Sequence, residues 1–245
     1  MLTAYDFPMA RILDEAGVDV ILVGDSLGMV VLGYESTVPV TMRDMLHHTR
    51  AVARAVRKAV VVADMPFGSY DIPERALRNA LRLIKEGGAD AVKLEGGQTI
   101  EKQVAHLVHA GVPVMGHVGM TPQTATRLGG YRVQGRDSKQ AAQILKDALL
   151  LERLGAFSVV LECVPGPLAQ KITRKLKCPT IGIGAGIHAD GQVLVLNDML
   201  GLESSVRPRF VRQYAQFGKA ARKAALVYIR DVKESKFPTV EESFH

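Results

Sequence analysis

The sequence predicts a single-domain α/β protein, a (β/α)8 TIM barrel, on three observations. The chain has 245 residues, 47% of them hydrophobic, and barrels of this class commonly reach this length as one domain. Helix-like segments alternate with short apolar runs, which is the pattern of parallel strands covered on both faces. About eight such runs are present, the number that a closed barrel needs. An open doubly wound sheet is the alternative, because periodicity alone does not separate the two.

Four strands are preceded by the same junction, a helical run followed by a glycine and a β-branched run. The glycines are Gly17, Gly88, Gly111 and Gly155. Glycine just past a helix end permits the left-handed conformation that closes the helix. The other strand candidates are "MLTAYD", "AVVVADMP", "PTIGIGAG" and "QVLVLNDML". Helices lie between most of them; Thr41 and Asp71 are the expected N-caps of two.

Two segments depart from this alternation. The polar stretch "TPQTATRLGGYRVQGRDS" is too long for an ordinary connection, which makes it a candidate active-site lid. After the last strand comes a C-terminal extension from about residue 207, with a helix expected from Pro208 to about Val232. We expect residues 1–245 to form one barrel domain that carries this extension.

Composition narrows the function classes. The net charge of +6 could suit nucleic acid, but aromatic residues make up only 5% and tryptophan is absent, so a solvated basic face or attraction for anionic metabolites is favoured. No apolar run is long enough to span a bilayer, and the first residues lack the pattern of a signal peptide. Cys163 and Cys178 form no CxxC pair. We therefore expect a cytoplasmic protein without membrane or nucleic-acid partners.

Polar side chains stand where the predicted strands end. In a barrel, all strands deliver their last residues to one rim, which carries the chemistry. Lys93 and Glu95 are two residues apart and therefore point to the same side of their strand. The strand-end residues are Asp25, Ser26, Asp64, Lys93, Glu95, His117, Glu162, Asn197 and Asp198.

Asp25, Asp64 and Glu95 would bring three carboxylates together at this rim. Two unit charges ~4 Å apart repel by about 4 kcal/mol at an effective dielectric of 20, so a cation or protons must offset them. An all-oxygen ligand set suits Mg²⁺ better than zinc. The alternatives are that Asp25 caps a helix, that Asp64 starts a turn, or that Glu95 pairs with Lys93.

Three further positions near the rim have open roles. Glu162 lies among apolar residues on the sixth strand and suits a general base, or else a rim salt bridge. His117 is either a neutral imidazole satisfied by backbone or a substrate contact. Cys163 is interpreted as a packing residue, because no acid–base partner is indicated. The run "IGIGAG" departs from GxGxxG and is a weak nucleotide signal.

Seven stretches together resemble the ketopantoate hydroxymethyltransferase family. They follow the family's order from Met1 to about Gly201, and their joint specificity is high. Family members usually carry a few more residues before the first motif, so we expect here either a short first strand or a truncated N-terminus. The stretches are "MLTAYDFPMARILDEAGVDVILVGDSLGMVVLGYEST", "ADMPFGSY", "VKLEGG", "GHVGMTPQ", "VLECVP", "IGIGAG" and "QVLVLNDMLG".

The resemblance implies a barrel of the phosphoenolpyruvate/pyruvate superfamily type and a role in pantothenate and coenzyme A biosynthesis. It implies transfer of a hydroxymethyl group from 5,10-methylenetetrahydrofolate to 3-methyl-2-oxobutanoate, giving 2-dehydropantoate by Mg²⁺-stabilised enolate chemistry. One Mg²⁺ per active site and a homo-oligomer, a decamer, are implied as well. By motif, Asp25, Asp64 and Glu95 match the metal ligands and Glu162 the proton acceptor. The oxo-acid contacts match Asp25, Ser26, Asp64, Lys93 and His117.

Two other functions fit parts of the sequence. A carbon–carbon lyase or mutase of the same superfamily would also use Mg²⁺ and oxo acids, but the "KKCGH"-type loop typical of such enzymes is absent. A non-catalytic barrel that binds metabolites is the other class. The joint presence of Asp25, Asp64, Glu95 and Glu162 argues against it.

Overall fold

A computed structural model of the chain describes residues 1–125, 130, 132–202 and 208–244. By their contacts they fall into two compact units, Met1–Val195 and Leu196–His245. The organisation as one domain with an extension from about residue 207 stays a prediction, and position 207 itself lies outside the described residues.

Eight parallel strands form the sheet of the first unit, and they follow one another in chain order. This order excludes the doubly wound alternative, in which the strand order reverses within the sheet. The strands are β1 (Leu2–Thr3), β2 (Val20–Val23), β3 (Val60–Asp64), β4 (Ala91–Glu95), β5 (Val114–Gly119), β6 (Ser158–Glu162), β7 (Thr180–Ile183) and β8 (Gly191–Gln192).

The sheet curls, but its two ends share few contacts. Leu2 forms an isolated parallel bridge with Leu194, and the Thr3 amide donates to the Leu194 carbonyl at 3.2 Å. Among the described residues, no ladder of strand pairs joins β1 to β8. The structure is therefore a curled half-barrel. It confirms the expected strand number, order and direction, but not a closed barrel.

The last expected strand is mostly not a strand. In the run "QVLVLNDML" only Gln192 belongs to β8, and Leu196–Leu200 is helical. Asn197 and Asp198 therefore lie on a helix rather than at a strand end, which corrects the prediction for both. Short apolar runs do not distinguish strand from helix by periodicity, and Asp198 suits the first turn of a helix.

Among its described residues the first unit has seven helices, with two of them between β2 and β3 and none between β7 and β8. Thr41 is the N-cap of α3 and forms a capping box with Asp44, as expected. Asp71 is not a cap: the N-cap position of α4 is Ile72, and Asp71 instead forms an exposed 2.8 Å ion pair with Arg75. The helices are α1 (Phe7–Glu15), α2 (Leu27–Val30), α3 (Met42–Ala55), α4 (Pro73–Lys85), α5 (Glu101–His109), α6 (Ser138–Arg153) and α7 (Gly166–Thr173).

The junction glycines behave as the sequence predicts. All four have positive φ angles, between 81° and 96°. The glycines are Gly17, Gly88, Gly111 and Gly155.

A buried apolar cluster lies inside the sheet and fixes the strands against one another. Each of β2 to β6 contributes one side chain to it. The cluster comprises Leu22, Val62, Ala91, Met115 and Val160.

The second unit holds α8 (Leu196–Leu200) and α9 (Phe217–Lys233). The expected start of the tail helix at Pro208 is wrong, because α9 begins at Phe217. No residue of α9 is buried, although Leu226 and Tyr228 are apolar or aromatic. None of the described helices is both long and apolar enough to cross a bilayer.

Two glycine substitutions should separate backbone strain from a steric clash. Gly119 has a φ of +100°, and a Cβ there would lie 2.3 Å from the Glu162 carbonyl oxygen. Gly17 has a φ of +83°, and a Cβ there would meet no atom within 4 Å. We expect Gly17→Ala to lower the free energy of unfolding by about 1 kcal/mol. Gly119→Ala should cost about 3 kcal/mol, because a main-chain carbonyl must also move.

Urea denaturation of both variants checks this. Equal losses of stability would contradict the predicted contact between Gly119 and the backbone of Glu162.

Candidate active site

The register of the parallel ladders sets the charged strand-end residues side by side. Asp64 on β3 is directly beside Lys93 on β4, and Glu95 on β4 is directly beside His117 on β5. Glu162 ends β6. Because the strands are parallel, all these side chains come to one edge of the sheet. The structure therefore brings together the strand-end residues of β3 to β6 that the sequence predicted.

A buried ion pair joins Lys93 to Asp64. The Lys93 Nζ atom lies 2.9 Å from Asp64 Oδ1, and both side chains are about 5% exposed or less. Burial lowers the pKa of Lys93, but Asp64, Glu95 and Asp25 raise it more, so the net shift is upward and the amine is charged. The second Asp64 oxygen, Oδ2, accepts a 3.0 Å hydrogen bond from the Asp25 amide.

Negative charge exceeds positive charge around this pair. Burial raises the pKa of Asp25 well above its usual value, and Asp64 and Glu95 raise it further. Burial also raises the pKa of Asp64, although Lys93 opposes the shift. Burial would raise the pKa of Glu95 too, but the neighbouring His117 and the charge of Lys93 make the net shift downward. The site therefore favours extra positive charge or a shared proton.

His117 bridges two carboxylates. Its Nε2 atom lies 3.1 Å from Glu162 Oε2, and its Nδ1 atom lies 3.6 Å from Glu95 Oε1. Burial and Lys93 lower the pKa of His117, but Glu162 and Glu95 raise it more, to about 9. Lys93 Nζ is also 3.1 Å from Nδ1, a contact that favours the neutral ring because an ammonium group only donates. The imidazole is thus a contact of Glu162 rather than a ring satisfied by backbone alone.

Gln123 and Tyr70 belong to the site, and the sequence reasoning missed both. Gln123 is 4% exposed, and its side-chain amide donates to Asp25 Oδ2 at 2.8 Å. Its main-chain amide donates to Glu95 Oε2 at 3.0 Å. The Tyr70 hydroxyl donates to Gln123 Oε1 at 2.5 Å. Gln123 closes the motif "GHVGMTPQ" on the loop after β5, so its place on that rim was the signal available.

Ser26 and Cys163 lie beside this cluster. The Ser26 hydroxyl lies 2.9 Å from the Tyr5 hydroxyl, and its side chain is only partly buried. Cys163 follows Glu162 and has a φ of 48°. Burial and the charge of Glu162 raise the pKa of the Cys163 thiol to about 12, so the thiolate is disfavoured and the packing interpretation stands.

The donor chemistry of the cluster suits a hard divalent cation, but no ligand set is preformed. Among the residues that the structure describes, no group of three His, Cys, Asp or Glu side chains is arranged to hold a metal ion. One oxygen each of Asp25 and Glu95 accepts from Gln123, and Asp64 faces Lys93. The carboxylate oxygens and the excess negative charge nonetheless match what Mg²⁺ requires.

The candidate lid is described only in part. Residues 126–129 and 131 of the stretch 121–138 lie outside the described residues. Of the rest, Pro122–Thr124 forms a 3-10 turn, and the Gln134 amide donates to the Cys163 carbonyl at 2.9 Å. This hydrogen bond connects the end of the segment to Cys163, the residue that follows Glu162.

Sequence comparison identifies the family. The family model described as ketopantoate hydroxymethyltransferase matches residues 1–240. A relative from Syntrophus aciditrophicus named 3-methyl-2-oxobutanoate hydroxymethyltransferase is 58% identical over 245 residues, which is 100% of this chain and 90% of that protein. A relative of the same name from Thermus thermophilus is 56% identical over 243 residues, 99% of this chain and 93% of that protein.

Solved structures share the fold at low identity. Phosphonopyruvate hydrolase, in a complex with oxalate and Mg²⁺, aligns with a TM-score of 0.62 at 13% identity, over 98% of this chain and 87% of that chain. 2,3-Dimethylmalate lyase, a member of the PEP mutase/isocitrate lyase superfamily, aligns with a TM-score of 0.57 at 14% identity, over 100% and 84%. These alignments show that the chain shares its fold with both proteins.

The Lys93–Asp64 ion pair gives a pH-dependent prediction. Lys93→Met should lower the free energy of unfolding at pH 8 by about 3–5 kcal/mol, because it leaves buried carboxylates without their cation. Carboxyl groups whose folded-state pKa is raised stabilise the protein below their unfolded pKa, and this stabilisation is lost as the pH rises through the folded value. The loss should therefore be smaller at pH 5 than at pH 8.

Urea titrations at the two pH values measure this effect. Lys85→Met, at an exposed position of α4, is the control and should change little. A Lys93→Met deficit that does not depend on pH would contradict the assigned charge balance.

Proposed function

The chain belongs to the ketopantoate hydroxymethyltransferase family and is an enzyme, and on that premise we propose its reaction. It transfers a hydroxymethyl group from 5,10-methylenetetrahydrofolate to 3-methyl-2-oxobutanoate, giving 2-dehydropantoate. One structural observation carries the proposal. Asp64, Lys93, Glu95, His117 and Glu162 meet at one edge of the sheet, in contacts of 3.6 Å or less.

Asp25, Asp64 and Glu95 are the residues that would hold one Mg²⁺ in each active site. When bound, Mg²⁺ supplies a Lewis acid that offsets the negative charge developing on the oxygens of the oxo acid. The raised pKa of Asp25, caused first by burial and then by Asp64 and Glu95, supports a cation at this position. The complex of phosphonopyruvate hydrolase with oxalate and Mg²⁺ is consistent with this choice.

Glu162 is the proposed base that takes the C3 proton of the oxo acid. Its Oε2 atom lies 3.1 Å from His117 Nε2, so the imidazole is a direct neighbour of the carboxylate. The side chain of Glu162 is 13% exposed, whereas that of Glu95 is 3% exposed, so Glu162 is the more accessible of the two carboxylates that contact His117. A general base must be accessible to the substrate proton that it takes.

The other residues bind the oxo acid and stabilise its charge. Lys93 places a buried ammonium group where negative charge develops on the substrate. Ser26 and His117, together with Asp25 and Asp64, contact the oxo acid. The C3 carbon then bonds to the methylene carbon of the folate, and the two bonds from that carbon to the folate nitrogens break. Water supplies the hydroxyl group, and tetrahydrofolate leaves with one proton from C3 and one from the water. The role of residues 127–136 as a lid stays a prediction, because residues 127–129 and 131 lie outside the described part of the chain.

Several broader expectations are part of the proposal. The enzyme acts in pantothenate and coenzyme A biosynthesis, in the cytoplasm, as a homo-oligomer that we take to be a decamer. Its partners are small molecules, the 2-oxo acid and the folate, rather than nucleic acid or membrane. We also propose that residues 1–245 form a single domain with a C-terminal extension from about residue 207.

An assay of the purified protein tests the reaction. We expect 2-dehydropantoate from 3-methyl-2-oxobutanoate and 5,10-methylenetetrahydrofolate with Mg²⁺ present, and loss of activity when a chelator removes the ion, because the carboxylate cluster then lacks its cation. Product formation is followed by mass spectrometry. Failure to form product with any divalent ion would refute the proposed reaction, and full activity with chelator would refute the metal requirement.

Proton exchange tests the role of Glu162 separately. Glu162→Gln should slow the exchange of the C3 proton of 3-methyl-2-oxobutanoate in deuterated water about 100- to 10,000-fold, because the amide cannot accept the proton. The exchange is measured by NMR with Mg²⁺ present and without folate. Glu101→Gln, in the first turn of α5, is the matched control and should exchange at the wild-type rate. An unchanged rate in Glu162→Gln would exclude this residue as the base.

A further inference from the structure

One uncharged residue contacts carboxylates from two different strand ends of the site. Gln123 lies in the 3-10 turn Pro122–Thr124 after β5. Its Nε2 atom donates to Asp25 Oδ2 at 2.8 Å, at the end of β2, and its backbone amide donates to Glu95 Oε2 at 3.0 Å, at the end of β4. Gln123 therefore connects two carboxylates that lie on either side of β3.

The hydrogen bonds of Gln123 fix which way its amide points. The Tyr70 hydroxyl donates to Oε1 at 2.5 Å, and the second Nε2 proton goes to the Met65 carbonyl at 2.9 Å. If the amide turned over, Oε1 would face the Asp25 carboxylate and the Met65 carbonyl, which are both acceptors. The observed orientation is thus the one in which each donor meets an acceptor.

Tyr70 can serve as this donor because its hydroxyl keeps its proton. Its side chain is buried, and burial raises the pKa of the phenol, with Glu95 adding to the shift. The loop that carries Tyr70 is anchored nearby, where Asn79 Nδ2 donates to the Ser69 carbonyl at 2.7 Å. The hydroxyl proton that sets the orientation of the Gln123 amide therefore comes from a tyrosine whose loop is anchored by a hydrogen bond.

The turn that carries Gln123 is also held locally. The hydroxyls of Thr121 and Thr124 lie 2.6 Å apart, and the Thr124 amide donates to the Thr121 carbonyl at 3.0 Å. The main chain of Gln123 is thus fixed independently of its side chain. Removal of the side-chain amide should leave the turn, and the backbone bond to Glu95, in place.

We propose that Gln123 is a positioning residue of the site: it holds Asp25 and Glu95 in the geometry that receives the divalent ion and the oxo acid, and Tyr70 sets the orientation of its amide. The inference rests on the proposed function in that Asp25 and Glu95 are taken as metal ligands. Gln123 does not itself react. Its contribution is to fix one oxygen of each carboxylate, which leaves the remaining oxygens for ligands.

The test compares three variants with the wild-type protein. Gln123→Met keeps the length of the side chain but removes its amide, and Tyr70→Phe removes only the hydroxyl. Gln143→Met is the matched control, because Gln143 Nε2 donates to Asp147 Oδ1 at 3.0 Å on the exposed face of α6, a glutamine–aspartate bond outside the site. Thermal unfolding first sets a temperature at which all proteins are folded.

Isothermal titration calorimetry then gives the dissociation constant for Mg²⁺, alone and with 3-methyl-2-oxobutanoate. We expect Gln123→Met to weaken Mg²⁺ binding about 10- to 100-fold, because a hydrogen bond to a charged group is lost. Tyr70→Phe should weaken it about 3- to 10-fold, and Gln143→Met should not change it. A purely structural role of Gln123 would lower the unfolding temperature without changing the dissociation constant of the folded protein.

Each outcome decides the proposal. An unchanged Mg²⁺ dissociation constant in folded Gln123→Met overturns it. If Gln123→Met does not fold, an unchanged constant in Tyr70→Phe overturns it, and a weakened one supports it. A wild-type protein that binds Mg²⁺ but forms no 2-dehydropantoate refutes the proposed reaction alone, because the variants still decide the role of Gln123. A wild-type protein that binds no divalent ion overturns both.

Discussion

The buried ion pair between Lys93 and Asp64, 2.9 Å long, is the interaction on which the rest of the site depends. Three carboxylates come to one sheet edge, and without a buried cation their mutual repulsion and their loss of hydration would oppose folding. Lys93 offsets part of that charge, and His117 contacts Glu95 and Glu162. The remaining negative charge makes the site suited to a divalent ion. The excess of carboxylates therefore opposes folding but favours the cation that the proposed reaction needs.

The sheet and the loops contribute different things to this arrangement. Parallel register sets Asp64 beside Lys93 and Glu95 beside His117, so the strands decide which charged groups are neighbours. The loops decide how those groups are oriented, because Gln123 and Tyr70 supply hydrogen bonds in fixed directions. Such neutral donors stabilise carboxylates without neutralising them, which keeps the affinity of the cluster for a cation.

The starts of several strands and the residues at their ends could be predicted, because a local sequence pattern determines each of them. The glycine after a helix predicted four strand starts correctly, and polar residues at strand ends predicted that Asp64, Lys93, Glu95, His117 and Glu162 would meet. Two predictions were wrong. The residues around Asn197 and Asp198, predicted as the end of a strand, are helical, and the tail helix begins at Phe217 rather than at Pro208. Apolar runs of a few residues fit either structure, and only their packing decides.

The sequence by itself determined the alternation of strand and helix, the placing of charged residues at strand ends and the membership of a family. The first two features depend on neighbours a few residues apart, and the third on motifs that follow one another along most of the chain. The partner of each charge was decided only by the tertiary structure: Gln123 and Asp25 are 98 residues apart in the chain, and Tyr70 and Gln123 are 53 apart. A hydrogen bond depends on distances of about 3 Å and on direction, and no pattern in one chain fixes these before the strands are assembled.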